Sequence, residues 1–204
     1  MSPPDDLGTF FYVLQEDLKV LYVDDDPILR EFAVVHLSSE HAQVRTAEDG
    51  LDALQQLEVE TPELVLLDLE MPRMDGFETL QRLRADPRFV HLPVIVVTSR
   101  EDAAAIDRAY ELGATFFTVK PINWRLLSYE VRYVHRAHMA ERSLREATAR
   151  AQAAARENAE RLTAMAYESR NFLSLALESA PSLRPAAASY AAALEGAVHG
   201  LARS

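Results

Sequence analysis

Four short apolar runs in this sequence each end in residues able to do chemistry. Val20 to Val23 leads into Asp24, Asp25 and Asp26, and Leu64 to Leu67 leads into Asp68. Val94 to Val97 leads into Thr98 and Ser99, and Thr115 to Val119 into Lys120-Pro121. Clustered carboxylates repel, and each raises its neighbours' pKa unless a cation joins them. Oxygen-only ligands suit Mg²⁺, which keeps several waters and an octahedral shell. A carboxylate can also act as a nucleophile toward a phosphoryl group. A lysine beside it would neutralise the phosphoryl oxygens. Taken alone, Asp68 reads equally well as the Asp that opens the turn punctuated by Pro72 and Gly76. A lone Lys120 reads as a surface lysine, but its place before Pro121 at the end of an apolar run favours a functional role.

These residues need a scaffold that gathers them. An apolar run of four bounded by turn residues suits a strand buried on both faces of a parallel sheet. Ligands of open parallel sheets sit at the carboxyl ends of the strands. The pattern predicts strands over Leu18–Val23, Ala42–Thr46, Leu64–Leu67, Pro93–Val97 and Thr115–Val119. The second of these shows alternation. Between them it predicts helices over Pro27–Ser39, Asp49–Leu57, Gly76–Arg84 and Asp102–Leu112. Pro27 fits a first helical turn, Leu51, Leu54 and Leu57 recur at a helical period, and Gly113 fits a C-terminal cap. Five alternations of strand and helix make an α/β domain with a parallel sheet.

With these motifs in this order and spacing, residues 17 to 121 resemble the receiver domain of two-component response regulators. The resemblance implies a flavodoxin-like (βα)5 fold with strand order 2-1-3-4-5. It implies phosphorylation on Asp68, with Mg²⁺ held by Asp25, Asp68 and the backbone carbonyl of Glu70, and by Asp24 through water. It makes Thr98 and Lys120 the residues that stabilise the phosphoryl group, and Phe117 with Thr98 the switch pair. Phe117 also reads as ordinary core packing. Glu70 lies two residues after Asp68 and Ser99 one after Thr98. Side chains there can block or orient the attacking water, so both are expected to tune the lifetime of the phosphoryl group.

Composition bounds the partners. The chain has 204 residues, a formal charge of −11 and no cysteine. Cysteine-ligated zinc and a disulfide framework are excluded, and a reducing, cytoplasmic setting is expected. Residues 122 to 204 carry 11 Arg against 8 acidic residues, or +3, which leaves −14 on residues 1 to 121. An acidic front half argues against nucleic acid, whose phosphates need basic surface. The sequence shows neither a membrane-spanning run nor a secretory signal, so no membrane partner is expected.

The tail follows other rules. No proline separates Pro121 from Pro181, and no glycine separates Gly113 from Gly196. From Asn123, a fitting N-cap, a single helix is predicted to about Ser179. Leu144, Ala151, Asn158, Met165 and Phe172 share one heptad position, and Ala155, Leu162 and Ala176 another. A buried Asn in such a seam can fix register and oligomer state. A dimeric coiled coil is the reading favoured over a long solvated helix or an unstructured alanine-rich stretch. Pro181 to Pro185 predicts a turn, and Tyr190, Leu194, Val198 and Leu201 form the stripe of a second helix. Two such hairpins would form a four-helix bundle. Met165 to Leu173, M-A-Y-E-S-R-N-F-L, resembles the phosphoacceptor box of sensor histidine kinases. Tyr167 stands where that box has its His, and a phenol with pKa near ~10 is a poor nucleophile at neutral pH. His199 reads as a packed or solvated histidine, and Phe10 to Leu14 as an extra strand or a segment folded onto the receiver.

The expected organisation is an N-terminal extension (1–16), a receiver (17–121), a signalling helix (122–160) and a degenerate dimerisation hairpin (161–204). The expected function is a response regulator, not an enzyme, that homodimerises and answers to a cognate histidine kinase or phosphotransfer protein. Its tail would dock another receiver or kinase. The competing reading is a fragment of a hybrid histidine kinase or of a nucleotide cyclase whose catalytic domain is absent.

Overall fold

The computed structural model describes Leu14, residues 17–179 and, singly, Ser189, Ala192, Ala193 and Gly196. It divides into two compact units, Met1–Ala140 and Glu141–Ser204.

In the first unit, five parallel strands form one sheet: β1 (Leu18–Val23), β2 (Ala42–Ala47), β3 (Leu64–Leu67), β4 (Val94–Thr98) and β5 (Phe116–Val119). Their order is β2-β1-β3-β4-β5, as expected for a flavodoxin-like sheet. The helices are α1 (Pro27–Leu37), α2 (Gly50–Val59), α3 (Gly76–Ala85), α4 (Ala103–Glu111) and α5 (Trp124–Ser179).

The central strands are almost wholly apolar, with Lys19 of β1 the one exposed residue among them, because both sheet faces are covered. Leu21, Val23, Val65, Leu67, Val94 and Val96 share one core with residues of α2, α3 and α4. Val20, Tyr22, Leu64, Leu66, Ile95 and Val97 share the other with Ala33 and Leu37 of α1. Leu127, Val131 and Val134 of α5 complete that second core, so the packed unit extends beyond residue 121.

Helix starts follow side-chain capping, which satisfies amides that no helical carbonyl reaches. Asp26, Asp49, Asp75 and Asp102 cap α1 to α4. Asn123 Oδ1 accepts from the Leu126 amide at 3.1 Å and opens α5, as expected.

Several boundaries differ from the sequence expectation. α1 ends at Leu37, not Ser39, because Ser38 is extended and Ser39 Oγ instead accepts from the His41 and Ala42 amides. α2 turns Ala53 and Leu57 inward and leaves Leu51 exposed, so the three leucines do not form one buried stripe. β2 lies at the sheet edge, and its central residues are half-buried rather than alternating. Leu112 caps α4, and Gly113 follows with φ +93°, which a Cβ would strain. Thr98 belongs to β4 as its last residue.

In the second unit α5 continues to Ser179, as the lack of proline and glycine implied. Alanine-rich sequence favours helix, and pairs such as Arg142–Glu146 (2.9 Å) and Arg161–Glu157 (3.1 Å) add i,i+4 support. Leu144, Leu162, Met165 and Phe172 are all exposed within one chain. The turn at Pro181–Pro185, the second-helix stripe and His199 lie outside the described residues. So does Phe10 to Leu14 except for Leu14, which is buried.

Candidate functional site

β1, β3, β4 and β5 lie side by side in the sheet, so the polar residues that follow them meet at one edge. The register aligns Val23 with Leu67, so Asp24 and Asp68 leave adjacent strands at the same level. It aligns Thr98 with Val119, so Lys120 follows one residue later, and the Lys120 amide donates to the Thr98 carbonyl at 2.9 Å. The Lys120-Pro121 peptide is cis.

One carboxylate oxygen from each of Asp24, Asp25 and Asp68 lies within 4.8 Å of the other two. Asp24 and Asp68 are buried, and Asp25 is exposed. Lys120 Nζ donates to Asp68 Oδ2 at 2.5 Å and pairs with Asp24 Oδ2 at 2.8 Å. Asp68 Oδ1 accepts from the Glu70 amide at 3.2 Å. Burial pushes the Asp68 carboxyl above its usual range, against the pull of Lys120 and the Glu70 amide. Burial works against the Lys120 ammonium, but hydrogen bonds to Asp24 and Asp68 outweigh it and hold its pKa above the ordinary value.

The donor set is all oxygen and carries three negative charges against one lysine. That composition fits a hard divalent cation, which selects oxygen ligands. The buried pair with its ammonium also fits a nucleophilic carboxylate beside a charge that can meet phosphoryl oxygens.

The loop after β3 holds Asp68 from below. The Gly76 amide donates to the Leu69 carbonyl at 3.1 Å. A Cβ on Gly76 would run into the Asp68 carbonyl oxygen and Leu69 Cα, so this close approach needs glycine. Arg73 has φ 61° and pairs with Glu48 and the buried Asp49, which ties the loop to the start of α2.

The other expected residues fall as follows. Thr98 is buried, and its Oγ1 accepts from the Arg100 amide at 3.4 Å. Ser99 and Glu70 are exposed at the rim. Phe117 is half-buried on β5 against the core shared with α2, α3 and α4. Tyr167 belongs to the second unit and is exposed, with the Arg170 guanidinium 5.9 Å from its ring centre. Asp26, third of the acidic run, is spent on capping: its Oδ1 accepts from the Ile28 amide at 2.8 Å.

Two contributors escaped the sequence reading. The Tyr22 hydroxyl donates to Asp24 Oδ2 at 2.9 Å from within the core, and burial, with Asp24 beside it, holds that phenol protonated. Arg30 donates to the carbonyls of Asp24 (2.7 Å) and Asp25 (2.9 Å), fixing the acidic loop from α1. The available signal was a phenol inside an otherwise aliphatic run, L-Y-V, directly before the acids.

Comparison with known proteins follows the same lines. The model of the response regulator receiver domain family matches residues 20–132. The transcriptional regulatory protein AfsQ1 of Streptomyces coelicolor (strain ATCC BAA-471 / A3(2) / M145) is 35% identical over 117 residues, covering 57% of this chain and 51% of that protein. The response regulator PleD of Caulobacter vibrioides is 34% identical over 128 residues, covering 63% of this chain and 28% of that protein. The chain thus spans about half or less of the length of these curated relatives. Among solved structures, chemotaxis protein CheY4 of Vibrio cholerae aligns with TM-score 0.55 at 29% identity, over 57% of this chain and 98% of its own. A CheY-like receiver domain protein of Methanospirillum hungatei JF-1 aligns with TM-score 0.57 at 25% identity, over 61% of this chain and 98% of its own. A family model that takes in more than half the chain, over the strands that gather these acids, establishes that the chain belongs to the response regulator receiver domain family.

Proposed function

We propose that this chain is a phosphorylation-controlled signalling protein whose receiver accepts a phosphoryl group on Asp68. The observation that carries this reading is Lys120 Nζ shared between Asp68 Oδ2 and Asp24 Oδ2, with the Asp25 carboxylate in the same cluster. The donor is a histidine kinase or phosphotransfer protein, the partners with which receiver domains interact. Receiver domains bind Mg²⁺ at an acidic pocket, and here Asp25, Asp68 and the Glu70 backbone carbonyl would hold it, with Asp24 acting through water. When bound, the ion neutralises charge on the phosphoryl oxygens.

Asp68 attacks phosphorus in line, its carboxylate oxygen gains the P–O bond, and the donor's bond to phosphorus breaks with the electron pair leaving on the donor. Lys120 then meets one phosphoryl oxygen, and the Thr98 hydroxyl donates to another. Thr98 and Phe117 form the switch: the hydroxyl moves to the phosphoryl group and the half-buried ring follows inward. Glu70 and Ser99, at the exposed rim, set how easily water reaches the acyl phosphate. The chain is thus an acceptor with slow self-dephosphorylation, not a turnover enzyme.

The second unit supplies the output. Exposed Leu144, Leu162, Met165 and Phe172 at heptad-related positions support a homodimer built along α5, closing as a four-helix bundle with the predicted hairpin. Around Tyr167 the bundle has the form of a histidine-kinase dimerisation and phosphotransfer element without its nucleophile. Glu168, Arg170 and Asn171 are exposed there and would dock another receiver or kinase without exchanging phosphate. Surface recognition and chemistry rest on different atoms, so losing the second need not cost the first.

The test is incubation with a small phosphodonor, followed by intact mass. One phosphoryl group is expected with Mg²⁺ and none after chelation. Equal phosphorylation with and without the ion contradicts the reading.

A further inference from the structure

We propose that Tyr22 is a positioning residue whose hydroxyl frees Lys120 to turn from Asp24 to the phosphoryl group. The inference rests on the reading of Asp68 as acceptor and adds to it a residue outside the expected set.

The starting point is the occupancy of one buried carboxylate. Asp24 is fully buried. Its Oδ1 accepts from the Asp26 amide at 3.0 Å. Its Oδ2 has two donors, the Tyr22 hydroxyl at 2.9 Å and Lys120 Nζ at 2.8 Å. Lys120 is shared in turn, since it also binds Asp68 Oδ2 at 2.5 Å. When Asp68 takes up a phosphoryl group, the ammonium must follow the new negative charge. That movement withdraws one donor from Asp24 Oδ2. A buried carboxylate oxygen left with no donor is costly. With Tyr22 in place the oxygen keeps a hydrogen bond, and Lys120 can leave.

The hydroxyl is well held for this task. The Tyr22 ring sits in the core shared by β1, β3, α1 and α5. Its centre lies 6.3 Å from that of Trp124, the first residue of α5, at a 47° tilt, within the range of favourable aromatic pairs. Trp124 is braced by the His36 ring stacked 5.3 Å away and by Phe32 edge-on at 6.4 Å. The ring packing fixes the direction in which the hydroxyl points. Tyr22 therefore acts through Asp24 and Lys120, not on the reacting atoms.

The test is the rate of phosphorylation from a small phosphodonor at saturating Mg²⁺, in the full chain, for wild type and Tyr22→Phe. The substitution keeps the ring and removes only the donor. Loss of a hydrogen bond to a charged group corresponds to a rate about tenfold lower. Mg²⁺ affinity, read by calorimetry, is expected to change by less than about threefold, because the substitution leaves the oxygen ligands of Asp25, Asp68 and the Glu70 carbonyl in place. A rate drop without a matching affinity drop separates this role from general loosening of the pocket. Equal rates in the two proteins overturn the proposal while leaving Asp68 as acceptor. No transfer in wild type overturns the acceptor reading, and this proposal with it. A second measurement needs no variant. In wild type bound to Mg²⁺ and beryllofluoride, a phosphoryl mimic, the buried Tyr22 hydroxyl proton is expected to persist and shift downfield in NMR as Lys120 leaves Asp24. A resonance that does not move overturns the proposal.

Discussion

α5 carries apolar residues at helical spacing in both compact units, yet the two stretches end in different environments. Leu127, Val131 and Val134 are buried against β1, β3, β4 and α1. Leu144, Leu162, Met165 and Phe172 follow the same kind of spacing and are exposed within one chain. Spacing alone defines a face and says nothing about what covers it. In the receiver unit the cover is the sheet, which also gathers the acids and Lys120. In the second unit the stripe is exposed among the described residues, and a second copy of the chain is the cover proposed above. Burying a large apolar side chain stabilises by about 1.5–3 kcal/mol, so a stripe of four exposed ones is a strong reason to associate.

The receiver half of this contrast breaks most sharply at Lys120. Lys120→Ala is expected to slow phosphoryl acceptance at Asp68 by roughly 10²–10³-fold, the usual cost of removing one donor to developing charge. Stopped-flow or quenched mass measurements check it, and a loss under about tenfold would show that the ammonium is not aimed at the reacting group.

The other half breaks by exposing the stripe. Light scattering of the full chain at tens of micromolar is expected to give a dimer, and the chain cut after Ala140 a monomer. Leu162→Glu with Met165→Glu is expected to shift the full chain toward monomer. A monomeric wild type would leave α5 beyond residue 140 as a solvated helix.

A smaller effect separates packing from chemistry inside the receiver. Gly76→Ala is expected to destabilise by about 1–3 kcal/mol, as overpacking does, because the methyl meets the Asp68 carbonyl and Leu69 Cα. Thermal melts check stability, and phosphorylation of the surviving folded protein checks whether Asp68 has been displaced.

The smallest expected change is at the rim. Glu70→Asn and Ser99→Ala are expected to alter the decay of the phosphorylated state severalfold without altering Mg²⁺ affinity by more than about threefold. Unchanged decay in both would remove them from the control of water access.

Much of the receiver was legible because its signals are local. Leu18–Val23 and Leu64–Leu67 are fully apolar or nearly so, bounded by turn residues, and match the observed strands end to end. The acids lie at strand ends, where topology alone brings them together. What stayed hidden depends on tertiary partners. Leu51 has the right period but faces solvent, because Ala53 and Leu57 already fill the space under α2. Tyr22 shows its role only when its hydroxyl is seen against Asp24. The burial of the first turns of α5 was hidden too, since nothing in Leu127, Val131 and Val134 distinguishes a sheet from a second helix as their cover.

Whether Asp68 carries the phosphoryl group is tested most directly by intact mass of wild type and Asp68→Ala after incubation with a small phosphodonor and Mg²⁺. Wild type is expected to gain one phosphoryl group, lost again on chemical hydrolysis of acyl phosphates, and Asp68→Ala to gain none. Phosphorylation of Asp68→Ala at the wild-type level, or a phosphoryl group recovered on Tyr167 instead, would contradict the account.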